Sequence, residues 1–336
     1  MEPLYQVLYT YFTNLPSKLN FKRYITMKRT FVIMVVLSLL LLEGVRGQQL
    51  PIYGQYIFNN TVINPAQAGA SNSNQFGLLG RHQWIGLEGA PRTYSAYLNL
   101  SLPSNLGVAV GIYQDNIGRI KDLTLQADVA YHLRISETWR FAVGLRALGS
   151  NQNLDLIGLN LIDPNDPWFN KEFATSFNFN VGVGFLWYST NSFIGVSAPR
   201  ILHKGFEDNG VIQNVSETHL FLYAGHTFRF SEELNLTPST MFKYSHKSPL
   251  QVDFNAIFGL GRTIDFGPVI RTDFANGLDA LGALLGIKFT PNWYLGYKYT
   301  YPMNDLNSVT KQSHEVGLRY NWGGQAGRIA SPRFFL

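Results

Sequence analysis

The side chains that could do chemistry are few and scattered. The seven histidines are His82, His132, His203, His219, His226, His246 and His314, and no two stand at metal-ligand spacing on one short element. Two local pairings could set a base beside an acid, His314-Glu315 and Asp128 with His132. Neither brings a nucleophile or an orienting third group within reach in the sequence, and hydrogen bonding in a polar interior is the ordinary work of such pairs. Asp163 and Asp166 could offer oxygens to Ca²⁺, but an Asp-Pro-Asn-Asp-Pro run is also plain turn chemistry. The chain has no G-x-S-x-G, H-E-x-x-H or P-loop pattern. It has no cysteine, which excludes disulfides, thiol catalysis and thiolate metal sites. No catalytic, cofactor or metal residue is expected, and the chain is read as a non-enzyme.

The sharper candidates are recognition residues in the first third of the chain. Gln55-Tyr56-Ile57-Phe58-Asn59-Asn60 and Ile63-Asn64-Pro65-Ala66-Gln67-Ala68-Gly69 form a polar-aromatic leader too irregular for a strand. Tyr56, Phe58, Asn64 and Pro65 are candidates either for plugging something or for docking a partner. Arg81, Trp84, Gly89 and Pro91 follow in Arg81-His82-Gln83-Trp84-Ile85-Gly86 and Gly89-Ala90-Pro91. The bland reading of Trp84 and of this turn is an interfacial tryptophan and a rigid hairpin.

The elements that must position these residues are strands. Residues 123–134 alternate without a break: Leu123, Leu125, Ala127, Val129, Tyr131 and Leu133 against Thr124, Gln126, Asp128, Ala130, His132 and Arg134. A period of two held over so long a stretch predicts a strand with a different solvent on each face. Similar stretches are 74–84, 93–100, 106–114, 139–151, 177–187, 193–197, 217–230, 235–244, 251–260, 263–271, 280–289, 293–301 and 315–322, about fourteen in all. Most have the ~9–11 residues of a tilted membrane strand. Short turns such as 136–137, 231–233 and 290–292 are interspersed with long connections at 152–175, 198–216 and 302–313, the pattern of an outer-membrane barrel. Trp84, Trp139, Trp187, Trp293 and Trp322, with Tyr113, Tyr188, Tyr244 and Tyr301, stand at predicted strand ends and are expected in interfacial girdles. Many glycines and the charges Arg134, Arg140, Arg146, Arg229, Lys298, Arg319, Asp128 and Glu315 are expected on the non-lipid face, where a wet or plugged lumen tolerates them.

Composition agrees. Only 15% of the residues are charged while 14% are aromatic, and mean hydropathy is −0.04. That excludes a helical membrane protein and fits strands with one lipid-facing side. The net charge of +5 comes with no basic block for nucleic acid. A soluble double-sheet protein is the bland alternative, and signal, strand lengths and aromatic ends argue against it. Met27-Lys28-Arg29, the apolar run 31–42 and the small residues of Val45-Arg46-Gly47 have the parts of a cleaved secretory signal. Met27 is expected to initiate, 1–26 to be an upstream overrun, 27–47 the signal, 48–73 a periplasmic leader or plug, 74–322 the barrel and 323–336 a tail.

The leader, the Arg81–Gly86 and Gly89–Pro91 segments, Gly107-Val108, Asp115-Asn116-Ile117-Gly118, Ser313-His314-Glu315 and Ser331-Pro332-Arg333 together resemble the PorP/SprF family. That resemblance spans nearly all of the expected mature chain. It implies an all-β, integral outer-membrane barrel of about fourteen antiparallel strands that works with type IX secretion and gliding motility. As partners it implies secretion components, a large secreted surface protein, or both, within outer-membrane lipid. A passive porin or solute channel is the alternative from another class, and a barrel enzyme a third.

Overall fold

A computed structural model describes residues 56–71, 73–155, 173–202, 206–208, 211–213, 218–246, 248–261, 263–275, 277–308 and 310–323. The expected signal and overrun, Gln55, His203, Asp163, Asp166 and Ser331-Pro332-Arg333 lie outside the described residues.

Alternation is what closes this chain into a tube. Its membrane strands are β1 Asn74–His82, β2 Arg92–Ser101, β3 Leu106–Ile117, β4 Ile120–Arg134, β5 Arg140–Asp155, β6 Phe173–Tyr188 and β7 Ser192–Ala198. They continue as β8 His219–His226, β9 Leu234–Ser245, β10 Ser248–Leu260, β11 Ile264–Asp273, β12 Gly277–Lys288, β13 Trp293–Pro302 and β14 Ser313–Trp322. Phe228–Arg229 extends β8 beyond Thr227 and pairs only with β9. Each strand pairs antiparallel with its chain neighbours, and β1 pairs with β14 from Asn74↔Trp322 to His82↔His314, so no edge is left open. A two-stranded ribbon, Phe206–Asp208 with Val211–Gln213, stands apart from the barrel sheet. All fourteen expected strands are present, displaced by a few residues at their ends.

The faces follow the sequence pattern. On β4 Leu125, Val129 and Tyr131 are exposed, while Gln126, Asp128, Ala130 and His132 are buried. Both chain ends of the barrel and the turns 102–105, 135–139, 189–191 and 289–292 share one end, the periplasmic one by the rule that short turns face inward. The strand ends that flank 83–91, 156–172, 199–218 and 303–312 share the other, outer end. Aromatics gird the periplasmic end: Trp187 lies 6.2 Å from Trp139 and 6.1 Å from Phe141, and Tyr320 lies 4.8 Å from Trp293 and 5.8 Å from Trp322, ring centre to ring centre.

Three expectations need correction. Tyr113 and Tyr188 are not girdle residues; both are buried in the lumen, because they fall on the inward phase of β3 and β6. Arg134 and Arg229 are exposed as the last residues of β4 and of the Phe228–Arg229 extension, at the barrel rim. The last strand begins at Ser313, ahead of the expected 315, so that His314 and Ser313 belong to it.

Candidate functional site

The lumen is occupied by the chain's own leader. Residues 56–71 fold as two short turns of 3₁₀ helix, Asn60–Val62 and Pro65–Gln67, and apart from the half-buried Asn60 every described side chain among them is buried. Local chemistry sets both turns. Asn59 caps the first by accepting from the Thr61 amide. Asn64 caps the second by accepting from the Ala66 amide at 2.8 Å, with Pro65 in the first helical position, where a missing N–H costs nothing. Gly69, at φ +67°, then turns the chain toward β1.

The wall is shaped for this insert. A Cβ on Gly144 of β5 would overlap the Pro65–Ala66 backbone, and one on Gly107 of β3 would overlap Ala68 and Gly69. Asn64 Nδ2 donates to the Phe185 carbonyl at 3.0 Å and to the Tyr223 hydroxyl at 2.8 Å, and Gln67 Nε2 donates to the same hydroxyl at 2.9 Å. Asn99 Oδ1 accepts from the Gly69 amide at 2.6 Å, and Ser197 Oγ donates to the Ile63 carbonyl at 2.7 Å. The ring of His132 bonds the Ala68 carbonyl through Nε2 at 2.7 Å and Tyr188 through Nδ1 at 2.8 Å. Leader carbonyls that a strand would pair with its neighbour are thus paired with wall side chains.

The deeper end is aromatic and charged. Phe58 lies against Gly296 and Gly317, where any side chain would meet its ring, and Tyr97 donates to the Phe58 carbonyl at 3.2 Å. Tyr56 is fully buried and accepts from Asn255 at 3.2 Å. Burial first, and the Asp253 carboxylate second, push its hydroxyl well above the ordinary tyrosine value, so it stays neutral. Arg146 ties wall to leader: it grips Asp128 through Nε and Nη2 at 2.7 and 2.9 Å and donates to the carbonyls of Val62 at 2.9 Å and of Thr61. A cavity of about 30 Å³ lies between leader and wall near Phe58, Gln75 and Arg319.

The sequence profile of the type IX secretion system membrane protein PorP/SprF matches residues 45–320. The chain belongs to the PorP/SprF family. One solved structure agrees on the architecture. The monoaromatic hydrocarbon channel CymD aligns over 84% of this chain and 96% of its own at 12% identity, with a TM-score of 0.53. The Acinetobacter baumannii outer membrane protein Omp33 aligns over 75% and 100% at 9% identity, TM-score 0.43, and the NanC porin over 74% and 100% at 9%, TM-score 0.40. At these identities likeness speaks for the fold alone, and here only CymD supports even that. No curated protein matches the sequence.

In this PorP/SprF barrel the sequence-predicted residues fall in two places. Tyr56, Phe58, Asn64 and Pro65 lie together inside the lumen. Arg81 is also inside, on β1, 3.7 Å from Glu315, whose carboxylate is held by Lys298 at 2.7 Å. Trp84, Gly89 and Pro91 belong to the outer β1–β2 connection. Trp84 has φ +49°, and its amide donates to Ser313 Oγ. Ile85 and Gln312 are bonded at 3.0 Å, and the Gly89 carbonyl accepts from Gly118, so neighbouring outer turns are zipped together. Among these outer residues Gly89 is exposed, Trp84 half-buried and Pro91 buried. The enzymatic pairs come apart: His314 faces outward while Glu315 faces the lumen, and His132 is engaged with Ala68 and Tyr188 while Asp128 holds Arg146. Sequence reading left out the wall partners Asn99, Tyr223 and Ser197. Their signal was present as polar residues on the inward phase of strands, but nothing local distinguished them from other lumen residues.

Proposed function

We propose that this PorP/SprF protein serves type IX secretion as a docking or retention partner for a secreted surface protein, and that its own lumen is not the route of passage. The observation that supports this is the leader packed in the lumen, its side chains buried and hydrogen-bonded to the wall. A solute channel needs a continuous wet path, and the leader's hydrogen bonds to the wall stand in its way. With Tyr56, Phe58, Asn64 and Pro65 buried, the docking surface falls to the zipped outer turns that carry Trp84 and Gly89. The porin reading rests on fold alone. The two readings part in one experiment on the purified full chain. A docking partner shows little conductance in planar bilayers and co-purifies with secretion components or a surface protein, and Trp84→Ala weakens that association. Steady single-channel conductance from the unmodified protein, with no partner recovered, would establish the porin instead.

A further inference from the structure

The outward wall over β1–β6 carries two features, one above the other, that together describe an amphiphile. The first is a polar row. Strand register aligns His314, His82, Arg92, Asn116 and Lys121 as successive cross-strand neighbours on β14, β1, β2, β3 and β4. All five point outward at the outer end of their strands, and on each strand the outward residues beyond them are predominantly apolar. No carboxylate stands in the row. Arg92 and Lys121 are exposed, and Arg92 Nε donates to His82 Nε2 at 3.1 Å, which lays the guanidinium along the wall.

The second feature is a trough of about 540 Å³ in the apolar belt of β1–β6, which shares β1–β4 with the row. Its floor is made by the small outward residues Ala96, Ala127 and Ala147, and Phe76 and Phe179 stand at its sides. Arg92 and Ala96 are four residues apart on β2, and Lys121 and Leu125 four apart on β4. At ~3.4 Å per residue the trough therefore opens roughly 14 Å below the polar row. Arg92 and Lys121, two strands apart, are separated by about 10 Å, within the joint reach of their long side chains.

We propose that this wall binds a phosphorylated lipid of the outer leaflet, with its acyl chains in the trough and its phosphate on Arg92 and Lys121. Guanidinium and ammonium are the side chains suited to phosphate, and cations at the edge of an apolar belt attract anionic lipid. Lipid is the matching occupant because the trough faces the hydrocarbon region and the row stands at its outer boundary. The small floor residues supply the depth that a row of leucines would fill.

The test uses the full-length barrel, stripped of lipid in detergent and mixed with phosphatidylcholine vesicles. The vesicles contain lipid A with its phosphates or the same lipid A with the phosphates removed. Native mass spectrometry counts the lipid retained, and heat-modifiability confirms that each variant is assembled. The wild-type protein should retain the phosphorylated form in preference. Arg92→Ala with Lys121→Ala should weaken retention by about tenfold or more, since two cations at an anionic surface are lost, and should abolish the preference. Ala147→Phe, which fills the trough at a lipid-facing position, should reduce retention of both forms. Inorganic phosphate alone should neither bind measurably nor compete. Equal retention of the two lipids by the wild type, unchanged retention in the variants, or tight binding of free phosphate would each overturn the proposal. So would a lipid-free wild-type dimer that Ala147→Phe makes monomeric, which would assign the trough to a second copy of the chain.

Discussion

Arg146 of β5 and Asp128 of β4 are cross-strand partners joined by two hydrogen bonds, and the same guanidinium donates to the leader carbonyls of Thr61 and Val62. One side chain therefore completes the barrel wall and seats the insert. Its partner Asp128 has no exposure to water, so it cannot be left alone cheaply.

Arg146→Met should cost ~3–5 kcal/mol, the usual penalty for leaving a buried charge unpaired. Arg146→Met with Asp128→Leu should recover much of that loss, because the stranded carboxylate is gone. The measurement is the urea concentration at which the barrel loses its heat-modifiable band. A double variant no more stable than the single would show that the leader contacts, rather than the ion pair, carry the effect.

The two faces of β4 and β5 make opposite predictions. Leu125 points to lipid, and Leu125→Arg should impair assembly by ~2–4 kcal/mol, the cost of a cation near the bilayer midplane. Gln126 is not a suitable inward control, since it donates to Asp128 at 2.8 Å beneath the leader. Gln152, inward on β5 and paired across the ladder with Asp122, is the better one, and Gln152→Arg should assemble normally. Comparable amounts of both variants in outer-membrane fractions would contradict this assignment of faces.

These faces were legible because one rule governs nearly every strand. Leu123, Leu125, Val129 and Tyr131 had only to alternate for their side of the wall to be known. The same rule places Tyr113 and Tyr188 inside, yet their nearness to strand ends suggested a girdle; the phase of a residue outweighs its distance from the end. Pro238 of β9 and Pro268 of β11 are harder. Prolines are expected at edges, and here both flank Ala256 in a closed sheet, where the β10–β11 ladder skips Ala256 and Ile257. The leader's irregularity was plain from Asn64-Pro65 and Gly69, but its seat was not. Tyr223 lies 159 residues from Asn64 in the chain, and no local pattern pairs them.

The glycines of the wall give a third prediction. Gly144→Val should expel the leader from its seat, because even a Cβ there would overlap the Pro65–Ala66 backbone. The outward Gly80, whose Cβ would meet only the Tyr94 ring at 3.8 Å, should accept Ala with no such effect. Limited proteolysis of folded, heat-modifiable protein reads the difference: cleavage within 56–71 should appear in Gly144→Val and not in Gly80→Ala.

The last prediction separates barrel from leader. Closure is made by the β1–β14 ladder and owes nothing to Tyr56 or Phe58. Both rings are buried in the lumen, Tyr56 completely, and removing a buried aromatic side chain typically costs ~3–5 kcal/mol. That loss falls on the seating of the leader, which otherwise depends on hydrogen bonds worth about 1 kcal/mol each. Tyr56→Ala with Phe58→Ala should therefore leave assembly, abundance and heat-modifiability nearly intact. With the insert loosened, the variant should conduct in planar bilayers where the parent does not, and should keep its co-purifying partners. Conductance with partners retained would place docking on the outer turns around Trp84 and make the leader a seal. Partner loss without conductance would place docking on the leader's own seat. If the double variant neither conducts nor loses partners, residues 56–71 act only as a tether, and the lumen must be closed by something other than Tyr56 and Phe58.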